Sequence, residues 1–428
     1  MNTSTSLTVV ICNYNKREYL KACLDSLQET DQRQLNMQVM VVDNASEDGS
    51  QDMVREHYSD WVSLVAMSEN TGGAGGFRRG MEEAMKTGSE FIALLDNDIL
   101  LDSDTLPTLI SYLLSRPEVA VAGAKICTMD NPEILQELGA FVDWERYSVA
   151  TPFKGHKDDA SLPAAVSCDY VPACCLVTRR DIVASIGLFD DAHFIYWDDI
   201  DWCQRIKRAG FEIHAVRDAR VLHKMGAVFT PNTFSNYYFE RNRLRFFANY
   251  LDESTFEAFA RKRCEELAPQ AFFANRKGKL AQVHSAHFAL MDFARGRWYE
   301  QPDAILQKEA GDGFGHLSEV TSVHLRGADD SLINRVSALL PKRIRQCADT
   351  AAESAEHVTV CAHVLSVTPP DEGWVIDQHG NSCHVTEHAG LVESFERFRQ
   401  IFSDVQIPVY LREIMAGYRS YHASGRTV

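Results

Sequence analysis

Four short runs near the amino end, LTVVIC (residues 7–12), QVMVVD (38–43), VSLVAM (62–67) and FIALLD (91–96), are dense in Val, Ile and Leu and have the length of strands. The stretches between them repeat apolar residues at helical spacing instead. In REYLKACLDSL, for example, Leu20, Cys23, Leu24 and Leu27 fall on one face. Strand and helix in alternation predict an α/β unit with a parallel sheet covered on both faces. In such sheets ligands collect beyond the carboxyl ends of the strands. Asn13, Asp43, Asn70 with the glycines after it, and Asp96 each end or follow one of the four runs, so they are predicted along one edge.

Farther along, VAVAGAKI, ACCLVT and ARVLH read as strands, and helices are predicted over Trp197–Ala209 and about Phe234–Tyr250. Beyond residue 252 the pattern turns to helical segments rich in Ala, Arg and Phe, with HVTVCAHVLSV as a strand-like exception. Two units are therefore expected, residues 1–252 and a mainly helical extension over 253–428. A chain of 428 residues with 45% hydrophobic positions can bury a large core. Its formal charge of −17 argues against a general nucleic-acid binder, since nothing would release counterions along a phosphate backbone. The cysteines form no C-x-x-C pair, which fits reduced thiols in a cytoplasmic chain. The opening MNTSTSLTVVIC reads as a tail feeding the first strand, and no apolar run approaches the roughly 18 residues of a membrane span, so any membrane contact is expected to be peripheral. The basic stretches RKRCEE and ANRKGKLAQVH read as solvated helix faces; docking on an anionic membrane near a lipid-linked acceptor is the alternative.

The candidate chemistry clusters at the strand ends. LLDNDILLDSDTL sets Asp96 and Asp98 two positions apart where a strand stops, a spacing that suits a hard divalent cation bound to diphosphate, although a turn with a helix cap uses the same residues. Asp43 in VVDNASEDGS faces the same edge and could accept from the imide N–H of a pyrimidine base; an Asx-rich turn is the plainer account of its neighbours. In NTGGAGGFRRG, Gly72, Gly73, Gly75 and Gly76 allow close approach of another group, with Arg78 and Arg79 behind them as anion donors. A dinucleotide fingerprint fails there, because Arg78 stands at its third glycine position and the run follows the third strand instead of the first. A diphosphate on the helix N-terminus and a tight strand–helix packing loop both remain open. FIYWDDIDWCQRIKRAGF opens a helix with Asp198 and Asp199 among Tyr196, Trp197 and Trp202. Acids there complement the helix dipole, but two adjacent carboxylates beside aromatic rings also make a general base next to a sugar platform. His223, at the end of ARVLH, is either a structural histidine or a further ligand of a metal held by the acidic pair, in an N/O set suited to Mn2+ or Mg2+.

Taken in order, VVICNYNKREYLKACLDSL, VVDNASEDGS, NTGGAGGF, LLDNDILLDSDTL, FIYWDDIDWCQRIKRAGF, VLHKMG and YYFERNRLRFF resemble glycosyltransferase family 2 with a GT-A fold, over roughly residues 7–250. Within it the set is most similar to bacterial galactofuranosyltransferases, then to rhamnosyltransferases. The resemblance implies an inverting transfer from a nucleotide-diphosphate sugar to a glycan or lipid-linked acceptor. It assigns Asn13, Asp43, Asn70, Gly72, Gly73, Gly75, Gly76, Arg78 and Asp96 to the donor, and Asp96, Asp98 and His223 to the metal. The base would be Asp199 or its neighbour Asp198, with Asp198 and Trp197 at the acceptor. Asn97 departs from an all-acidic metal motif and lowers the local charge. A nucleotidyltransferase would place G-x-G near the first strand, where this chain has NYNKRE; a non-catalytic sugar-nucleotide sensor would not need Asp198 and Asp199.

Overall fold

The computed structural model describes residues 4–33, 35–224, 232–299, 320–327, 329–342, 344–346 and 356–424. The first half runs β1 (Thr5–Asn13), α1 (Arg17–Gln28), β2 (Leu35–Asp43), α2 (Ser50–His57), β3 (Val62–Ala66), α3 (Gly72–Thr87), β4 (Phe91–Asp96), β5 (Ile99–Leu101), α4 (Thr105–Leu114) and β6 (Val119–Thr128). It continues through β7 (Leu135–Glu137), β8 (Phe141–Asp143), β9 (Ser148–Ala150), β10 (Ala165–Ser167), β11 (Cys175–Arg179), α5 (Arg180–Ile186), α6 (Asp198–Arg208) and β12 (Glu212–His223). The second half holds α7 (Asn232–Tyr250), α8 (Glu253–Arg276), α9 (Leu280–Ala294), β13 (Ser322–Arg326), α10 (Asp330–Leu339), β14 (Arg345–Gln346), β15 (Glu356–Cys361), β16 (Trp374–Asp377), β17 (Ser382–His384), α11 (His388–Ile401) and α12 (Ile407–Ala423).

The main sheet has the order β10-β12-β6-β11-β4-β1-β2-β3, with β5 paired to β12 and β7 to β6. Strands β1 to β4 are parallel, as alternation with helices predicts, but β11 runs antiparallel to both β4 and β6. The sheet is thus mixed, because β11 arrives through a long excursion and not through a helical crossover. Apolar side chains fill both faces. Val9, Ile11, Val41 and Leu95 join α1 and α4 on one side, and Val10, Val42, Leu94 and Met81 lie on the other.

That second face shows why residue 252 does not mark a separate core: Phe256, Phe259, Leu290, Phe293, Ile414, Met415 and Tyr418 belong to the same cluster as Val10, Trp197 and Trp202. Helix α12 fastens to the end of α7 through Tyr421 Oη to Asn249 Oδ1 (2.7 Å) and Tyr418 Oη to the Leu251 carbonyl (2.9 Å). The extension is mainly helical, through α8–α12, and also carries β13–β17 as a five-stranded sheet in the order β14-β13-β15-β16-β17 with small cores of its own. HVTVCAHVLSV forms β15 only as far as Cys361. Among the described residues no helix is long and apolar enough to cross a membrane.

Candidate active site

Register brings the strand tips together. Asn13 pairs with Asp43 across β1 and β2, and Cys12 with Asp96 across β1 and β4. Asn13, fully buried, donates to Asp43 Oδ2 (2.8 Å) and accepts from Asn97 Nδ2 (2.7 Å). Asn97 therefore stitches the acidic turn to the first strand, which accounts for an amide between two carboxylates. Asp43 Oδ1 accepts from the Ser46 N–H (2.9 Å) and Gln51 Nε2 (2.8 Å). Buried and held by three donors, Asp43 organises its loop and offers no free oxygen at the surface, which departs from a base-contacting role in this conformation.

The glycine-rich run also has an internal explanation. Helix α3 starts at Gly72, whose φ is +73° and whose missing Cβ would sit 2.1 Å from the Phe194 carbonyl oxygen. A Cβ at Gly75 would meet Thr71 Oγ1 at 2.3 Å and one at Gly76 would meet Cys12 Sγ at 2.3 Å, whereas Gly73 alone of the four faces open space. The Gly72 N–H is taken by Asn70 Oδ1 (2.9 Å) and the Ala74 N–H by the Phe194 carbonyl (3.0 Å). Packing within the chain thus explains three of the four glycines. Arg78 pairs with Glu82 (3.3 Å) and donates to the Phe189 carbonyl, and Arg79 pairs with Glu83 (2.6 Å), so both arginines are engaged on α3 and neither is a free diphosphate donor.

Asp96, Asp98 and His223 do come together. Antiparallel pairing of β5 with the end of β12 sets His223 opposite Ile99, one residue beyond Asp98. Asp98 Oδ1 lies 3.3 Å from His223 Nε2, and Lys16 Nζ holds Asp98 Oδ2 at 2.6 Å. Burial works against the Asp98 carboxylate, but the His223 hydrogen bond and the charges of His223 and Lys16 outweigh it and keep the group below its ordinary range. Burial likewise opposes charge on His223, and Asp98 and Asp96 overcome it, raising the imidazole. Asp96 is pushed up to about 6 by burial and by the neighbouring Asp98 charge.

The divalent cation that the fold family implies fits this donor set. Two ligands about 2.1 Å from one cation stand about 3.0 to 3.4 Å apart, and the Asp98–His223 separation falls in that window. His223 Nδ1 is 2.9 Å from Gln136 Oε1, so that with Nδ1–H donating, Nε2 is directed at Asp98. Cys174, which sequence reasoning passed over, brings a thiol within 4.8 Å of the ligand atoms of Asp96 and His223.

Helix α6 begins with Asp198 and Asp199. Burial, then the Asp199 charge, drives Asp198 well above its ordinary range. Burial raises Asp199 less, to about 6, because the N–H groups of Ile200 (2.8 Å) and Ala173 (3.3 Å) donate to it. The charge of Asp96 raises both members of the pair, which puts the β4 acids and the α6 acids in one electrostatic neighbourhood. A third acid, Glu137 on β7, was not foreseen. It is 8% exposed, its Oε1 has no hydrogen-bond partner, and burial followed by the Asp199 charge lifts it to about 8. The one signal for it was adjacency to Gln136 in LQEL, too weak to single out from sequence.

Trp197 must be reassigned. It is 1% exposed and packed against Phe239, Phe246 and Phe247, which makes it a core residue and not an acceptor platform. The aromatic rings that reach the surface beside the acids are Tyr196 and Phe239, with centroids 6.3 Å apart.

Comparison with known proteins agrees with this architecture. Residues 5–246 match the family described as "Glycosyltransferase like family 2". The chain is 29% identical over 228 residues to the galactofuranosyltransferase GlfT1 of Mycobacterium tuberculosis (strain CDC 1551 / Oshkosh), covering 52% of this chain and 71% of that one. It is 23% identical over 234 residues to the N-acetylglucosaminyl-diphospho-decaprenol L-rhamnosyltransferase of the same strain, covering 51% and 75%. A crystal structure of GalNAc-T7 with UDP, GalNAc and Mn2+ aligns at a TM-score of 0.49 and 15% identity, over 69% of this chain and 57% of that one.

Proposed function

Since the chain belongs to glycosyltransferase-like family 2, and is thereby a sugar transferase of GT-A type, we propose that it moves galactofuranose from UDP-galactofuranose to a hydroxyl of a cell-surface glycan or glycolipid, inverting the anomeric carbon. The galactofuranosyltransferase relatives support that donor. A dTDP-rhamnose donor is the second reading, favoured by the rhamnosyltransferase relatives.

Asp98 Oδ1 and His223 Nε2, with Asp96 beside them, would hold Mn2+ or Mg2+, which when bound supplies positive charge against the departing diphosphate. Lys16 keeps Asp98 ionised and oriented. Across the cleft Asp199, the less strongly raised of the pair, is ionised at neutral pH and takes the proton from the acceptor hydroxyl. Asp198, raised further than Asp199 by burial and by the Asp199 charge, is the member of the pair that favours its protonated form and can donate to the same sugar. Glu137, lifted to about 8 by burial and the Asp199 charge, keeps its proton at neutral pH and adds no charge beside the pair. Splitting neighbouring acids into an ionised and a neutral member is how one cleft supplies both a base and hydrogen-bond donors.

The observation that carries the reading is Asp96: its ligand atom lies within 4.8 Å of that of His223, and its charge acts on Asp198 and Asp199. The test is a donor panel with Mn2+, Mg2+ or chelator, scored for nucleoside diphosphate release and sugar transfer. UDP-galactofuranose with Mn2+ or Mg2+ is expected to give transfer that chelator abolishes. Transfer from dTDP-rhamnose alone would replace the donor, and undiminished transfer in chelator would remove the metal.

A further inference from the structure

The segment leading into α6 is held in a backbone shape that its own residues disfavour. Phe194, Tyr196 and Trp197 have φ of +64°, +66° and +69°, in a region that bulky L-residues seldom adopt. Such backbone persists where its surroundings over-determine it. Helix α7 supplies much of that determination. Asn242, 0% exposed, directs Nδ2 to the carbonyls of His193 (2.7 Å), Ile195 (2.8 Å) and Tyr196 (3.0 Å). Arg241, also 0% exposed, donates to the carbonyls of Ala192 and His193 (3.0 Å each) and of Trp298 (2.7 Å). Arg245 reaches Asp190 at the start of the segment, with its guanidinium over the Trp298 ring. On the other side the Phe194 carbonyl accepts from Ala74 in the first turn of α3. The segment is therefore spanned between the glycine-rich helix and α7, and Asp198 follows it two positions after Tyr196.

We propose that Asn242, seconded by Arg241, is the positioning residue of the transfer reaction. It touches neither sugar, yet it pins the left-handed turn that aims Asp198 and Asp199 at the cleft. This rests on the transferase reading above. Three carbonyls facing one amide explain why the side chain is Asn: leucine would fill the space without a donor, and aspartate would present oxygen to oxygen.

Asn242→Ser and Arg241→Lys test it. Each is expected to lower kcat by about 100-fold, the cost of a misplacement of roughly 1 Å, while the calorimetric Kd for UDP stays at the wild-type value. The acid limb of kcat/KM should also move to lower pH, as Asp199 gains water. A purely structural role would lower the folded fraction and leave that limb in place. Wild-type kcat per folded molecule, an unmoved limb, or loss of UDP binding in parallel with kcat overturns the assignment. If Asn242→Ser does not fold, Arg241→Lys decides. Amide exchange separates this inference from the function: residues 193–201 should exchange faster in both variants while β1 and β4 do not change. If the wild type transfers no sugar, the functional reading fails and exchange alone decides; equal protection of 193–201 in variant and wild type sinks the clamp.

Discussion

Replacing Asp199 by Asn should remove transfer and make the protein more stable. In the folded chain the Asp199 carboxyl is raised from 3.8 to about 6, chiefly by burial. Between those values the folded protein keeps a proton that the unfolded chain has released, so stability falls as pH rises across the window, and the whole penalty is present above it. Two pH units or slightly more, at about 1.4 kcal/mol each, make it roughly 3 kcal/mol. Asn carries no charge and escapes this cost. It keeps one oxygen where the carboxylate offered two to the N–H groups of Ile200 and Ala173, an offset of about 1 kcal/mol. A net gain of about 2 kcal/mol is expected at pH 8, vanishing near pH 4, where the folded wild type is protonated. Urea unfolding followed through the buried Trp197 and Trp202 measures it, in chelator so that the Asp98–His223 site contributes nothing. Transfer should fall by a factor of about 100 to 10,000, the usual worth of a general base, with UDP affinity retained. Unchanged stability at pH 8, or the same gain at pH 4, would refute the claim that Asp199 is held ionised at a cost.

For the wild type, kcat/KM should rise with pH and level off above about 6 as Asp199 ionises; a flat profile from pH 5 to 8 would exclude it as the base. His223→Ala should shift the Mn2+ midpoint of activity upward by about 10- to 100-fold, the scale on which metal-site partners act, and an unchanged titration removes His223 from the site. Gly76→Ala, whose Cβ would lie 2.3 Å from Cys12 Sγ, should destabilise by about 1 to 3 kcal/mol through overpacking, whereas Gly73→Ala, with nothing within 4 Å, should not; equal thermal midpoints for the two would contradict the packing account of the glycines.

The parallel centre of the main sheet was legible because β1, β2 and β4 each carry an apolar run, largely buried, that ends in a polar residue. β1, β2 and β4 end at Asn13, Asp43 and Asp96, where the pattern places them. Polarity at a tip does not say which way the group faces, and there the reading diverged. Asp43 and Asp98 follow equally apolar strands, yet three donors enclose Asp43 while Asp98 keeps an oxygen toward His223. What separates them is the partner across the fold, Asn13 and Gln51 for the one, Lys16 and His223 for the other, and partners this distant in sequence leave no local spacing. Glu137 was hidden for the same reason, since its proton affinity comes from burial under chain that a sequence does not display. Trp197 misled in the opposite sense: aromatic character beside two acids suits a sugar platform, but its left-handed φ turns the ring into the core and leaves Tyr196 outside.

The charges of the cleft explain why its acids can be crowded at all. Asp96, Asp98, Asp198, Asp199 and Glu137 would repel a diphosphate if all were ionised, in a chain that already carries a formal charge of −17. Burial favours the protonated forms of Asp198 and Glu137, and Lys16 and His223 answer Asp98. The other three are divided by position, Asp96 and Asp98 toward the cation side and Asp199 toward the acceptor side. At opposite walls of one cleft, the same side-chain chemistry can hold positive charge against a leaving group and draw a proton from an incoming one, and the separation of roles comes from unequal hydration and unequal partners.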